Sequence, residues 1–355
     1  MQINKVLKGN SVVQTIDGPD LGFGNVFSDH MLIRNWTGEA WGDVTIRART
    51  PLEVEPNALG LHYGQSVFEG LKAYRGSDDD IVRLFRPDRN AARLEASCLR
   101  LCIPPIPVEE FVECIAELVS VESSWIPNQR GHALYVRPLV FATEGHLAVR
   151  PSSQYQLVIT TAPVAPYFSS TSRGLRLKAE GRFTRAVLGG TGSSKTSGNY
   201  APTLRPMSDA AREGFDQILW LDAHEHAFAE EAGQMNIFFR IGDEVVTPDL
   251  SGTILAGVTR ESALTLLEGW GIKTVSRRVS MTELTDASRS GELLEIFGAG
   301  TAAVVAPVAS ISYLDEEITA SPNNEESLAQ RLRETLLGIQ HGELEDPYDW
   351  VRPVS

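Results

Sequence analysis

One short stretch, residues 188–200, most constrains how this chain of 355 residues can fold. It reads L-G-G-T-G-S-S-K-T-S-G-N-Y, and between Gly189 and Gly198 its only bulky side chain is that of Lys195. Small residues let the backbone pass close to another group and leave one amine as the only long reach. Such a lysine either holds a phosphate as a point charge or attacks a carbonyl to form a Schiff base.

A phosphate-binding P-loop is the first interpretation to weigh. Residues 189–196 match G-x-x-x-x-G-K-[ST] except that Ser194 replaces the second glycine. A P-loop opens a helix directly after its lysine. Here Gly198, Pro202 and Pro206 follow, and proline inside the first turns removes a helix bond and clashes. The sequence therefore disfavours a nucleotide hydrolase, and an ordinary surface loop stays open as the other alternative.

Length, charge and cysteine content bound the protein class. A chain of this length predicts two domains, and its net charge of -14 disfavours nonspecific nucleic-acid binding. Residues 1–20 lack a signal-peptide core, and no apolar run reaches the ~20 residues of a membrane span. We therefore expect a soluble, cytoplasmic protein that does not bind membranes. The three cysteines, Cys98, Cys102 and Cys114, have no metal-like spacing and are predicted to be buried, reduced thiols.

Strand and helix patterns are mixed along both halves, which predicts an α/β (mixed α+β) fold. We expect a smaller N-terminal domain at 1–162, a Pro- and Ser-rich linker at 163–174 and a larger C-terminal domain at 175–355 that carries Lys195. The predicted strands lie at 31–33, 44–46, 82–85, 133–142, 156–161, 218–221, 235–241 and 293–297. The predicted helices lie at 90–101, from Pro107 through Val119, at 260–270 and at 325–339.

Three features keep alternatives open. Residues 298–303, G-A-G-T-A-A, resemble a dinucleotide fingerprint, but Pro307 follows and favours a loop that returns to a strand and can bind an anion. Residues 224–226, H-E-H, favour a polar hairpin turn over a metal pair, because no third ligand follows. Arg137 interrupts an apolar strand and predicts either a buried ion pair or an anion contact.

Several groups together would serve one ligand. Lys195 supplies an imine, and Glu231, in an E-x-G-x-M-N run, supplies a carboxylate for a protonated pyridine nitrogen. Arg86, the turn at 257–259 and residues 300–301 can each face a phosphate. Imine lysine, pyridinium carboxylate and phosphate cradle are typical of a pyridoxal 5'-phosphate site.

From about residue 27 to residue 311 the chain resembles the branched-chain amino acid aminotransferases, which are fold-type IV, class IV pyridoxal-phosphate enzymes. The resemblance rests on eight motifs in order: L-H-Y-G-Q-S-V-F-E-G-L-K-A-Y, R-L-F-R-P, L-Y-V-R-P, G-G-T-G-S-S-K, G-N-Y, E-x-G-x-M-N, G-V-T-R and F-G-A-G-T-A-A. It implies two α/β domains with the active site at their interface. It also implies transamination of leucine, isoleucine and valine with 2-oxoglutarate in amino-acid biosynthesis.

The resemblance also implies a role for individual residues. Lys195 would be the catalytic residue and Schiff-base lysine, and no metal would be needed. The other cofactor-binding residues would be Arg86, Tyr200, Glu231, Val258, Thr259 and Thr301. The residues that bind substrate would be Tyr63, Phe68, Tyr135, Arg137, Tyr167, Thr301, Ala302, Leu147 and Val149. Because the last two would reach into the partner subunit's site, the resemblance implies a homodimer.

Some positions depart from the family pattern. Ser197 replaces a glycine, Pro202 and Thr203 replace a small pair, and Ala256 stands where a proline is common. His146 changes the loop that the partner subunit would contribute. An aminotransferase of the same fold type that uses an unusual L-amino acid, a D-amino acid or an amine is therefore the alternative function.

Overall fold

The computed structural model describes residues 1–8, 21–76, 79–168, 173–321 and 327–354. Residues 9–20, residues 169–172 of the predicted linker and residues 325–326 of the predicted last helix lie outside the described residues. The strands are β1 (Ile3–Val6), β2 (His30–Trp36), β3 (Val44–Ala48), β4 (Ser66–Phe68), β5 (Leu71–Arg75), β6 (Val82–Phe85), β7 (Ala133–Ala142), β8 (Tyr155–Val164), β9 (Leu175–Glu180), β10 (Gln217–Leu221), β11 (Ala229–Ala232), β12 (Met235–Ile241), β13 (Glu244–Thr247), β14 (Lys273–Ser276), β15 (Leu293–Gly300), β16 (Val304–Tyr313), β17 (Glu316–Thr319) and β18 (Val351–Val354).

The α-helices are α1 (Leu59–Tyr63), α2 (Pro87–Arg100), α3 (Val108–Val121), α4 (Leu204–Arg212), α5 (Val258–Gly269), α6 (Met281–Ser290) and α7 (Leu328–His341). Short 3-10 turns occupy Ser123–Trp125, Ser197–Asn199 and Ala201–Thr203. The mixture of strands and helices confirms the predicted α/β class. No described helix is both long and apolar enough to cross a bilayer.

The strongest sequence patterns give the most accurate element bounds. The strands predicted at 133–142 and 235–241 are β7 and β12, with the same ends. Helix α2 begins earlier than predicted, at Pro87, because proline is pre-organised for the first helical turn and Arg86 takes a left-handed conformation with φ 48° ahead of it. Pro107, predicted as the first helical residue, is instead the residue that caps α3.

Contacts between residues group the described chain into two compact units. Unit 1 comprises Met1–Tyr167, Ser194–Gly198 and Leu337–Ser355, and unit 2 comprises Phe168–Ser193 and Asn199–Leu336. The units change at Tyr167 within the predicted linker, but the segment with Lys195 and the C-terminal end group with unit 1. The predicted domain bounds at 162 and 175 remain a prediction, because units defined by contacts need not follow the order of the chain.

Unit 1 is built on one sheet with the strand order β1-β3-β2-β8-β7-β5-β6-β18, with β4 added on β7. Helices α2 and α3 cover the core of this sheet. The apolar stripe predicted for α3 is buried in that core at Phe111, Val112, Ile115, Leu118 and Val119. This packing gives α2 a fixed position, which matters because α2 also contacts the segment around Lys195.

Unit 2 contains a sheet in which six strands close on themselves. The pairings run β11-β10-β9-β16-β15-β12, and β11 pairs back with β12. Residues 224–226 lie between the antiparallel strands β10 and β11, which confirms the predicted hairpin turn. Strand β15 ends at Gly300 and β16 begins at Val304, so residues 301–303 form the predicted loop that returns to a strand.

The prediction that all three cysteines are buried is wrong for one of them. Cys98 and Cys114 are buried, but Cys102 is exposed. Cys102 follows the end of α2 and has φ 56°, so its side chain leaves the apolar face that the helix pattern suggested. Burial raises the pKa of Cys98 and of Cys114 to about 12.

We expect one thiol of the native chain to react with Ellman's reagent at pH 8. Since the thiolate is the nucleophile, the raised pKa of Cys98 and Cys114 keeps them unreactive, whereas the exposed Cys102 reacts. Denaturation should release all three thiols, and Cys102→Ser should abolish the native reaction. Two rapidly reacting thiols in the native chain would contradict the structure.

Candidate active site

The segment that carries Lys195 is held against β4 and α2 within unit 1. The Phe68 backbone N–H donates to the Lys195 carbonyl oxygen over 3.0 Å. The Lys195 N–H donates to Ser97 Oγ on α2 over 3.0 Å. Thr196 Oγ1 donates to the Ser66 carbonyl oxygen over 2.8 Å. The N–H and the carbonyl group of Lys195 are thereby hydrogen-bonded to elements that pack in the core of unit 1.

The Lys195 side chain lies among aromatic and charged groups. Its Nζ is 5.0 Å from the centre of the Phe68 ring, and Arg137 Cζ is also 5.0 Å from that centre. The pKa of Lys195 is lowered, first by burial and then by the charge of Arg93, while Glu69 and Tyr135 oppose the shift. More of this amine is therefore neutral at a given pH than of an ordinary lysine, which is the form that attacks a carbonyl.

Tyr135 and Arg137 stand on the same side of β7, two residues apart. Arg137 Nη2 donates to the Tyr135 hydroxyl over 3.1 Å, and Phe23 packs edge-on against the Tyr135 ring at 4.9 Å. Arg137 is exposed, so the alternative of a buried ion pair is wrong. On the same side of β7, Tyr135 is buried and Leu139 is half-buried, so the exposure is local to Arg137. The remaining alternative, an anion contact, is compatible with this exposure.

The other residues predicted in unit 1 lie around Tyr63, beside Trp350 and beside Phe23. Tyr63 donates its hydroxyl to the Leu147 carbonyl oxygen, and the Leu147 and Val149 side chains are 68% and 81% exposed. The Arg86 guanidinium lies 5.1 Å from the centre of the Trp350 ring. Tyr167 packs edge-on against the same Phe23 ring as Tyr135, at 5.0 Å, and burial raises the pKa of its hydroxyl.

Sequence reasoning missed a buried carboxylate next to the lysine segment. Glu69 has no exposed surface and accepts from Arg93 Nε over 2.7 Å, from Arg93 Nη2 over 2.9 Å and from Asn90 Nδ2 over 2.8 Å. Burial opposes its ionisation, but Arg93, Lys195 and Asn90 together lower its pKa. The polar residues Asn90, Arg93 and Ser97 recur at helical spacing in α2, and that pattern was the available signal.

In unit 2, Glu231 is buried at the end of β11 and paired with a cation. Its Oε1 accepts from the Leu255 N–H over 2.8 Å, and its Oε2 lies 3.1 Å from Arg185 Nε. Among the described residues Arg185 Nε has no hydrogen-bond partner of good geometry, so this contact is an ion pair. Arg185 also donates to the Thr253 carbonyl oxygen. A paired, buried carboxylate suits the predicted role of Glu231.

The neighbouring Glu230 differs from Glu231. Thr253 Oγ1 donates to Glu230 Oε1 over 2.6 Å, and burial raises the pKa of Glu230.

Thr253, which contacts both Glu230 and Arg185, packs closely against Gly192 in the loop that precedes Lys195. A Cβ on Gly192 would lie 2.4 Å from the Thr253 carbonyl oxygen. A glycine at this position of the lysine loop is therefore required by packing within unit 2.

Two segments predicted to bind phosphate, the start of α5 and the turn after β15, lie near the end of the unit 2 sheet that holds Glu231. Glu231 pairs with Asn236 across β11 and β12, and Asn236 pairs with Ala299 across β12 and β15. Asn236 Nδ2 also donates to the Leu255 carbonyl oxygen over 3.0 Å, just before α5. Val258 and Thr259 are the first residues of α5, Thr301 and Ala302 form the turn after β15, and Tyr200 precedes the 3-10 turn at 201–203.

The N-terminus of α5 fits an anion. Its capping residue Gly257 provides no side-chain cap for the first backbone N–H groups. A Cβ there would lie 2.0 Å from Asn236 Oδ1, so the turn requires glycine. By contrast, an open cavity of about 480 Å³ in unit 2, lined in part by Arg182, Arg205 and Asp209, contains none of the predicted site residues.

Removing the cation from the buried pair in unit 2 should destabilise the chain. We expect Arg185→Met to reduce the free energy of unfolding by about 3–5 kcal/mol, because it leaves Glu231 buried without its partner. The double variant Arg185→Met/Glu231→Gln should recover part of that loss. The measurement is chemical unfolding of the full chain.

The control is Arg289→Met, which breaks an ion pair with Glu316 whose side chains are 64% and 43% exposed. Exposed pairs contribute little, so this variant should unfold like the unmodified chain. An equal loss of unfolding free energy in Arg185→Met and Arg289→Met would show that the buried pair stabilises the chain no more than the exposed pair.

Comparisons with known proteins show the family to which the chain belongs. Residues 66–311 match the family model of amino-transferase class IV. Branched-chain-amino-acid aminotransferase 2 of Bacillus subtilis (strain 168) is 44% identical over 340 residues, which cover 96% of this chain and 93% of that protein.

Solved structures of the T.th. branched-chain amino acid aminotransferase share the fold. Its structure with pyridoxamine 5'-phosphate is 25% identical with a TM-score of 0.72, and covers 91% of this chain and 98% of that one. Its structure with 4-methylvaleric acid is 26% identical with a TM-score of 0.72 and the same coverage. The chain belongs to the class IV aminotransferases and, within them, to the family of branched-chain-amino-acid aminotransferases.

Proposed function

We propose that this chain transfers the amino group of leucine, isoleucine and valine to 2-oxoglutarate, and that it uses pyridoxal 5'-phosphate bound at Lys195. One observation carries the proposal. A partly buried lysine with a lowered pKa lies beside Tyr135, Arg137 and Phe68 in a member of this aminotransferase family. The activity for which its relatives are named, and the pyridoxamine phosphate bound in the T.th. structure, support the same chemistry.

The residues of unit 2 fit two parts of the cofactor. The Arg185-paired Glu231 would hold a ring nitrogen protonated, and the uncapped N-terminus of α5 with Thr259 would hold a phosphate. As the family resemblance implies, Thr301 and Arg86 are proposed as phosphate-binding residues, and Tyr200 as the donor to the ring's phenolic oxygen. When bound, pyridoxal phosphate supplies a carbonyl for imine formation and a ring that accepts the charge left at the substrate Cα.

The chain's own groups then perform the proton transfers and the substrate binding. The lowered pKa leaves Lys195 Nζ able to take a proton from the substrate Cα and return it as a general acid. The Tyr135 hydroxyl, to which Arg137 donates, would receive the substrate carboxylate, and the family resemblance implies the same role for the backbone at 301–302. Arg137, which is exposed, would bind the second carboxylate of glutamate in the other half-reaction.

The side-chain pocket is proposed to be apolar. Phe68, Tyr63 and Tyr167 would contact the aliphatic substrate, as the family resemblance implies. Apolar pockets separate aliphatic side chains by only roughly 1–3 kcal/mol per methylene. The enzyme should therefore accept leucine, isoleucine and valine together.

We also propose a homodimer in which Leu147 and Val149 contact the other subunit. These exposed apolar side chains stand on one loop, and the Tyr63 hydroxyl donates to the Leu147 carbonyl oxygen of that loop. Sedimentation at assay concentrations measures this directly, and a stable monomer would contradict it. A cytoplasmic location remains a prediction from the sequence.

A panel of amino donors with 2-oxoglutarate tests the reaction, read as glutamate formed. Leucine, isoleucine and valine should all react, and Lys195→Ala should lower the rate by about 10²- to 10⁴-fold or more. The matched control is Lys273→Ala, an exposed lysine whose loss should leave the rate unchanged. Reduction with borohydride should fix the cofactor on Lys195. Activity with a D-amino acid or an amine alone would favour the alternative function.

Gly70→Ala tests the position of the Tyr135 hydroxyl. A Cβ at Gly70 would lie 1.9 Å from that oxygen, so the tyrosine must move away from its place beside Arg137. We expect kcat/KM for leucine to fall roughly 10- to 100-fold, mainly through KM. The control is Gly198→Ala, where a Cβ meets nothing within 4 Å. Unchanged kinetics of Gly70→Ala would contradict a role of Tyr135 in substrate binding.

A further inference from the structure

One side of α2 holds both the lysine segment and a buried carboxylate. Asn90 and Arg93 donate to Glu69 over 2.7–2.9 Å, and Ser97 accepts from the Lys195 backbone over 3.0 Å. Residues three and four positions apart share a helix face, so these three residues form one stripe. Glu69 follows Phe68, whose N–H donates to the Lys195 carbonyl. The helix therefore connects the position of Glu69 to that of Lys195.

The groups that act on the Lys195 amine come from three elements of unit 1. Arg93 comes from α2, Glu69 from the turn between β4 and β5, and Tyr135 and Arg137 from β7. Arg93 and Arg137 disfavour a proton on the amine, whereas Glu69 favours one. Glu69 is thus the fixed carboxylate that offsets two arginines near a lysine which must both lose and regain a proton.

The carboxylate of Glu69 is surrounded by hydrogen-bond donors. It has no exposed surface, and Arg93 binds both of its oxygens. The Gly70 N–H donates to Oε2 as well, over 3.1 Å. A buried ion pair is weak evidence for stability, because desolvation offsets much of the attraction. A carboxylate with this many donors is better explained by what its charge does to its neighbours.

We propose that Glu69, held by Asn90 and Arg93, is a positioning residue whose charge offsets the arginines around Lys195 and so favours a proton on the amine. Its value to catalysis rests on the proposed function. The electrostatic effect belongs to the chain itself and exists without any bound cofactor.

The test measures the Lys195 amine in the cofactor-free full-length chain. Competitive acetylation across a pH series, followed by mass spectrometry of the peptide with Lys195, gives the pH midpoint at which the amine becomes reactive. Glu69→Gln should lower this midpoint by about one pH unit, because the cations are no longer offset. Adding Arg93→Met to Glu69→Gln should return the midpoint towards that of the unmodified chain.

Adding Arg93→Met is expected to shift the pH midpoint in the direction opposite to that of Glu69→Gln, which separates an effect of charge from a structural effect. A purely structural role predicts that Glu69→Gln/Arg93→Met departs at least as far as Glu69→Gln, and that result would overturn the proposal. Asn90→Ala is the matched control, since it removes one hydrogen bond to Glu69 and no charge, and it should leave the midpoint unchanged. A midpoint shifted equally by Asn90→Ala would also overturn the proposal.

Folding and function are checked separately. Thermal unfolding of each variant shows whether it is native at the temperature of the assay. If Glu69→Gln does not fold alone, Arg93→Met replaces it, and its midpoint must lie at or above that of the unmodified chain; a lower one would overturn the proposal. An unmodified chain that fails to bind added pyridoxal phosphate would refute the proposed function, while the acetylation series still tests Glu69.

Discussion

The backbone contacts of residues 195–197 are the constraint on which the active lysine depends. Phe68 and Ser97 bind the carbonyl and the N–H of Lys195, and Thr196 bonds to Ser66. Those contacts join a loop to a strand and a helix whose other sides are packed in the core of unit 1. Rigid elements hold a reactive group more accurately than a loop does, because their own rotamers and backbone are locked by packing.

Charge is distributed differently in the two units. Around Lys195, the cations Arg93 and Arg137 face the carboxylate of Glu69, and burial lowers the lysine pKa. In unit 2, the two adjacent buried glutamates Glu230 and Glu231 lie near the cation Arg185. Each unit thus pairs its functional charge with an opposite charge that the chain itself supplies. This pairing explains how groups that need ionisation tolerate burial.

The predicted site could be assembled from sequence only in part. The family motifs identified Lys195 and Glu231, and the structure shows a lysine with a lowered pKa and a paired, buried carboxylate at those positions. Glu69, Arg93 and Arg185 were missed. Their partners lie far away along the chain, and the only local signal was the helical spacing of the polar residues Asn90, Arg93 and Ser97 in α2. Of the two alternatives for Arg137, the buried ion pair was wrong and the anion contact stays a prediction, because an apolar strand pattern does not reveal which single side chain reaches solvent.

The amino-acid sequence by itself determined the local elements with strong periodicity, such as β7, β12 and the buried stripe of α3, together with the family to which the chain belongs. These follow from side-chain size, polarity and backbone preference over a few neighbouring residues. Only the tertiary structure decided that the segment with Lys195 groups with unit 1, that Glu69 meets Arg93, and that Cys102 is exposed. Those outcomes depend on which distant segments pack together, and that is settled by burial and hydrogen-bond satisfaction across the whole unit.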